Sequence, residues 1–159
     1  MEMLLPALIG LAGVVLGGVL QQRALARSVR DADLAAHRQL VRDTIVRLAY
    51  ALSTHRGHLY TRWDLAHSPT ATPEQAAQAQ ETSHASRGEI TCALYQLRAL
   101  TQDSVLLAAA DAAVAVTYAV KTKGEDLATV TEPELAARRQ RAIDADDALL
   151  AATTTRLTP

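Results

Sequence analysis

Two short motifs set a carboxylate three residues before a histidine: Asp64-Leu-Ala-His67 and Glu81-Thr-Ser-His84. On a helix, positions i and i+3 are neighbours, so each pair can offer an oxygen and an imidazole nitrogen to one divalent ion. Two such pairs on facing helices make half of a di-iron carboxylate centre, which also needs a glutamate from each of two further helices. The later helices supply no glutamate at a matching apolar position; Asp111 is the one acidic residue on an apolar face there, and Asp64 stands where the pattern has Glu. Asp64, His67, Glu81 and His84 are therefore the metal-ligand candidates, set against the plainer reading of solvated helix ends. His55 and His58 lie one turn apart and could join Asp64 or His67 around an ion, but no HExxH motif fixes them. Cys92 stands beside Ile90 and Leu94 without an activating neighbour and reads as a small buried hydrophobe. GxxxxGK[ST], GxGxxG and GxSxG do not occur, so neither nucleotide nor serine hydrolysis has a motif. No catalytic residue and no cofactor is assigned, and the chain reads as non-enzymatic.

What positions these residues is a chain of 159 amino acids, enough for one domain with a modest core. Sixteen Lys and Arg against 17 Asp and Glu leave a net charge of −1, unlike a generic nucleic-acid binder. Hydrophobic residues at 49% exclude global disorder, and a single cysteine excludes an intrachain disulfide or a multi-Cys zinc site. With no Phe, one Trp and four Tyr, the core must be aliphatic and rich in alanine. Trp63, Tyr60 and Tyr95 are expected to supply its aromatic part, with an exposed partner patch as the alternative.

The N-terminal segment carries the clearest physical signal. Met3 to Leu20 is an 18-residue run of apolar residues, Gly and Pro without a charge. As a helix it would reach roughly 27 Å, close to the hydrocarbon layer of about 30 Å. Residues 1–22 are thus expected to form a transmembrane anchor. Arg23, Arg27 and Arg30 follow it, while only Glu2 precedes it. Arginine collects on the cytoplasmic side, which puts the N-terminus outside and the remainder in the cytoplasm. A cleaved leader would need a basic start that MEM does not give, and the Ala24-Leu25-Ala26 site lies beyond Arg23. Gly10, Gly13 and Gly17 form a small-residue face, with GxxxG at 13–17, on which two membrane helices could pack.

Beyond residue 22 strong helix formers dominate and no stretch alternates with period two. Four helices are expected, at about 23–67, 73–100, 103–122 and 132–153. Leu34, Val41, Ile45, Leu48, Leu52, Leu59 and Trp63 form the apolar stripe of the first. Two prolines in Ser68–Pro73 break the chain; Thr72 is placed to cap the second helix with Pro73 at its first position. Ile90, Leu94, Leu97 and Leu100 face the core from the second helix, and Val105, Leu106, Ala109, Ala113, Val116 and Val120 from the third. Gly124 is expected to close the third helix, and Thr131 with Glu134 to form a capping box for the fourth. That last helix would bury Leu135, Ala142, Ile143, Leu149 and Leu150, with Thr153–Arg156 frayed. Short connections make neighbours antiparallel, so the expected fold is all-α: one transmembrane helix and an up-down cytoplasmic bundle of about four helices.

Charge is divided along the chain. Residues 21–62 hold eight Arg and three Asp, net +5; from 63 onward eight Lys and Arg meet 13 Asp and Glu, net −5. The basic stretch suits anionic lipid headgroups; the plainer reading is topology determination together with pairing to the acidic half of the chain. Nucleic acid is not an expected partner, because no aromatic stacking residues or recognition motif accompany the arginines.

The run ALIGLAGVVLGGVLQQ followed by an Arg-rich helix, with VRDTIVRLAYALSTHRGHLYTRWD and SRGEITCALYQLRALTQDSVLLAAADAAVAVTYAV behind it, resembles the KilB-like family of small actinobacterial single-pass membrane proteins. The likeness covers most of the chain and is one of architecture and composition. Arg outnumbers Lys 14 to 2, which fits a GC-rich genome. The resemblance implies a membrane-anchored helical protein serving plasmid transfer or spread between hyphal compartments, and it brings no catalytic residues. The expected function is a non-enzymatic, membrane-anchored interaction protein that associates with itself or with a protein partner. Two alternatives stand beside it: a di-iron-like metal-binding bundle enzyme, and an outward-facing secreted or lysis-related envelope protein.

Overall fold

The computed structural model describes the backbone of residues 4–157, and side chains from residue 21 onward except that of residue 24. Four α-helices follow one another: α1 (Leu4–His67), α2 (Pro73–Leu100), α3 (Ser104–Tyr118) and α4 (Glu132–Leu157), with a short 3₁₀ turn at Leu127–Thr129. There is no strand among the described residues. The chain divides into two compact units, Met1–Gln39 and Leu40–Pro159.

In the first unit every described side chain from residue 21 to 37 is exposed. Leu34, expected in the core, is 57% exposed; the buried stripe of α1 begins only at Val41. Among the described residues no helix is long and apolar enough to cross a membrane. The Met3–Leu20 run and the Gly10, Gly13 and Gly17 face lie outside the residues whose side chains are described.

The second unit is a bundle whose contacts give its direction. Along α1, Arg47 reaches Gln96 and Glu89 of α2, while Arg62 reaches Ser83, so α2 runs back along α1. Arg98 of α2 pairs with Asp111 of α3, near the turn that joins them. At the far end of α4, Arg156 pairs with Asp103 at the start of α3, and Arg42 of α1 donates to the carbonyl of Leu157. The order is up, down, up, down.

Local chemistry explains the helix ends. Thr72 accepts from the Gln75 amide and the Gln75 side chain accepts from the Thr72 amide, a reciprocal cap with Pro73 in the first turn. Asp103 caps α3 through the amides of Val105 and Leu106. Four expectations fail. Helix α3 stops at Tyr118, because the chain turns there to send Val120 into the core. Gly124, with φ +82°, serves the connection instead of closing the helix. Thr131 and Glu134 form no capping box; the Glu134 carboxylate goes to Arg138 at 2.7 Å. Nor does α4 fray, since Thr153, Thr154 and Thr155 each donate to a carbonyl four residues back and Thr153 is buried.

The core is made of aliphatic residues and one tryptophan, in two clusters. One gathers Val41, Ile45, Leu48 and Leu52 with Ile90, Leu97, Leu106 and Leu149. The other gathers Leu59, Trp63, Val120, Leu127, Val130, Leu135 and Ala142. Full burial of one such leucine or isoleucine contributes about 1.5–3 kcal/mol. Ala93, Ala110, Ala113 and Ala142 are fully buried, which lets the helices approach closely. Val105, Ile143 and Leu150, assigned to the core from spacing, are 49%, 39% and 39% exposed.

Candidate functional site

Between the two apolar clusters each helix contributes polar side chains at the same level. In α1 these are His55 and Arg56, between Leu52 and Leu59; in α2, Ser83 and Ser86, next to Ile90; in α3, Thr117, between Ala113 and Val120; in α4, Asp146, between Ala142 and Leu149. All six are buried.

The layer has two halves. Arg56 and Asp146 form an ion pair at 2.7 Å, with side chains 8% and 10% exposed, and Arg56 also donates to the Thr117 hydroxyl at 3.3 Å. The second carboxylate oxygen, Oδ1 of Asp146, is buried without a hydrogen-bond partner among the described residues. Burial raises this carboxyl above its ordinary range, against the opposing pull of Arg56. In the other half, Nδ1 of His55 lies 2.7 Å from the Ser86 hydroxyl, which donates to the carbonyl of Ser83 at 2.9 Å. In the tautomer that keeps this hydroxyl proton on the Ser83 carbonyl, Nδ1–H donates and Nε2 is the acceptor. Nε2 is buried and has no hydrogen-bond partner among the described residues. Burial, then the charges of Arg87 and His58, lower the imidazole from 6.5 to about 4, so it is neutral at physiological pH. The Tyr118 ring stands edge-on to it, centroids 5.8 Å apart. This polarity is the reverse of a serine nucleophile and its base, in which the hydroxyl donates to the imidazole. The contact joins α1 to α2.

The residues singled out by spacing lie elsewhere. Asp64, His67, Glu81 and His84 are all exposed. His67 is held on its own helix, Nδ1 2.9 Å from the Trp63 carbonyl and its ring 4.4 Å from that of Trp63. Among the described residues no three His, Cys, Asp or Glu side chains could hold a metal ion together. The two motifs flank the Pro69–Pro73 turn but do not converge. His55 lies in the core while His58 lines an open groove of ≈ 600 Å³ between α1 and α2, together with Thr61, Leu65, Glu74, Gln78 and Thr82. Asp111 is exposed and paired with Arg98 at 2.8 Å; the acidic residue inside the bundle is Asp146. Cys92 is exposed, not buried: two residues on from Ile90 is about 200° around a helix, and the core face continues through Ala93 and Leu97.

Trp63 alone of the three aromatic candidates is core. It is 9% exposed and donates Nε1–H to the Val130 carbonyl at 2.7 Å, tying α1 to the connection before α4. Tyr60 and Tyr95 are 39% and 62% exposed, and Tyr60 lies under the Arg139 guanidinium at 4.8 Å. Arg23, Arg27 and Arg30 are exposed along α1.

These features define a class: an all-helical protein whose bundle is organised around a buried polar layer and is preceded by a separate helical unit. The chain belongs to the KilB family. Residues 42–157, the span of the bundle, match the family described as KilB plasmid transfer protein. The chain is also 36% identical over 147 residues to Protein KilB of Streptomyces lividans, covering 92% of this chain and 91% of that protein. No solved structure matches.

Proposed function

We propose that this chain is a non-enzymatic, single-pass membrane protein that acts in plasmid transfer or spread by presenting its bundle to a protein partner, itself included. The N-terminus lies outside and the bundle in the cytoplasm. The observation that carries this reading is the uncharged run Met3–Leu20, followed by Arg23, Arg27 and Arg30, which are exposed. Such a run suits the hydrocarbon layer, and the arginines suit anionic headgroups on the cytoplasmic side. The plasmid role rests on membership of the family, whose description names plasmid transfer. The non-enzymatic reading draws on the polar layer, where the hydrogen bonds and the ion pair serve to join helices.

The test is a topology experiment on the full chain with alkaline phosphatase or green fluorescent protein fused after Pro159. The expected result is a detergent-extractable membrane protein that fluoresces and shows no phosphatase activity. Phosphatase activity would reverse the orientation, and a full-length chain recovered without detergent would remove the anchor.

A further inference from the structure

Five arginines of the bundle each have a carboxylate: Arg47 with Glu89, Arg56 with Asp146, Arg98 with Asp111, Arg138 with Glu125 and Glu134, and Arg156 with Asp103. Three neighbouring cations do not. Arg62, Arg87 and Lys121 make no ion pair among the described residues; their partners are the Ser83 hydroxyl at 3.3 Å, the face of the Tyr118 ring at 5.1 Å and the Thr122 carbonyl at 3.2 Å. They stand close enough to repel. Burial and then the charge of Arg87 lower Arg62; burial followed by the charge of Arg62 lowers Lys121, against an opposing pull from the nearby carboxylates of Glu125 and Asp126.

A groove of ≈ 210 Å³ opens beside them, lined by Arg62 and Lys121 with Ala66, Ala76 and Gln80. The sequence builds it simply. Arg62 and Ala66 are one turn apart on α1, and Ala76, Gln80, Ser83 and Arg87 recur at helical spacing on α2. The alanines leave room where longer side chains would fill it. Two carboxylates also line the groove. Glu125 is taken by both guanidinium nitrogens of Arg138 at 2.8 Å and by the Thr122 amide, and Asp126 accepts from the Ala128 amide as a cap. Neither pairs with Arg62, Arg87 or Lys121.

We propose that this groove binds one doubly charged oxyanion of the phosphate type, held by Arg62 and Lys121 with Arg87 beside them. Guanidinium groups match such oxygens two at a time, and the anion would relieve the mutual repulsion of the three cations. The occupant is a single group and not a polyanion, because the chain from residue 63 onward carries a net charge of −5. The phosphate is free or carried by a mononucleotide, and the experiment separates the two.

The full chain in non-ionic detergent is titrated with inorganic phosphate and with adenosine monophosphate at constant ionic strength, read by calorimetry and phosphorus NMR. Saturable one-site binding is expected. Arg62→Gln and Lys121→Gln should each weaken it about tenfold, as loss of one charge-assisted hydrogen-bond donor does. Arg98→Gln, at the Asp111 pair, should leave it unchanged. Lys121 is half-buried and makes no ion pair among the described residues, so Lys121→Gln keeps the test readable if Arg62→Gln disturbs folding. Tighter binding of the nucleotide places the phosphate on a nucleoside; equal binding assigns the free ion; either supports the site. No saturable response, affinity unaltered by Lys121→Gln, or response to duplex DNA alone would overturn it.

Discussion

The buried pair Arg56–Asp146 makes a quantitative prediction, because its two halves fail differently. Both side chains are about nine-tenths buried, at 8% and 10% exposure, and the contact is 2.7 Å. Asp146→Leu leaves the Arg56 guanidinium in the bundle with only the Thr117 hydroxyl at 3.3 Å. An uncompensated buried charge costs about 3–5 kcal/mol. At about 1.4 kcal/mol per tenfold, that is roughly a thousandfold loss in the ratio of folded to unfolded chain. Acid cannot rescue this variant, because a guanidinium does not give up its proton. Arg56→Met strands the Asp146 carboxyl instead. That group is already raised by burial and can neutralise itself, so lowering the pH should recover part of the loss. Arg56→Met with Asp146→Leu removes both charges and should restore stability to within about 1 kcal/mol of the parent, or exceed it. The assay is urea unfolding of the full chain in detergent, followed by helical circular dichroism and by the fluorescence of Trp63, the single tryptophan. An Asp146→Leu cost below about 1 kcal/mol, or a double variant no better than the worse single one, would refute the argument for a charge pair isolated from water.

Two further outcomes are expected. His55 titrates at about 4 in the fold against an ordinary histidine value of 6.5, so the unfolded chain takes up its proton first. Its contribution is fully present above pH 6.5 and fades as pH falls toward 4, by about 3 kcal/mol in all; Asp146, raised in the fold, slopes the other way. Urea midpoints of parent and His55→Gln across that range should differ in slope by the His55 share, and parallel curves would contradict the assignment. Gly13→Ile with Gly17→Ile should abolish self-association in a membrane dimerisation assay, and association that survives would show the glycine face is not the interface.

Helix identity was legible because local chemistry and periodicity agreed. Thr72-Pro73 marks the start of α2 and Leu100 its end, both where the sequence places them. Stripes such as Ile45–Leu48–Leu52–Leu59 fix which face of α1 enters the core. The polar layer was less visible. Reading Leu52 to Leu59 as a seven-residue step passes over His55 and Arg56, and reading Ala142 to Leu149 likewise passes over Asp146. The signal was there: in α1, α3 and α4 the apolar stripe is interrupted at one level by a polar residue on the buried face. Only three-dimensional pairing shows that these interruptions meet. The carboxylate-x-x-His motifs failed for the opposite reason. Spacing puts each pair on one face, but whether two faces converge is set by packing, and Trp63 already holds His67. Leu34 and Cys92 show the same limit, since an apolar or thiol side chain on a helix is buried only where another element covers it.

The polar layer also decides how the four helices can be assembled. Leucine and alanine surfaces tolerate sliding, because one methyl group replaces another at little cost. A shift of one helix by a single turn would carry Asp146 away from Arg56 by about 5 Å and oppose charge to hydrocarbon. The level at which His55, Arg56, Thr117 and Asp146 meet is thus the vernier mark of the bundle, singling out one alignment among many that an aliphatic interior alone would accept.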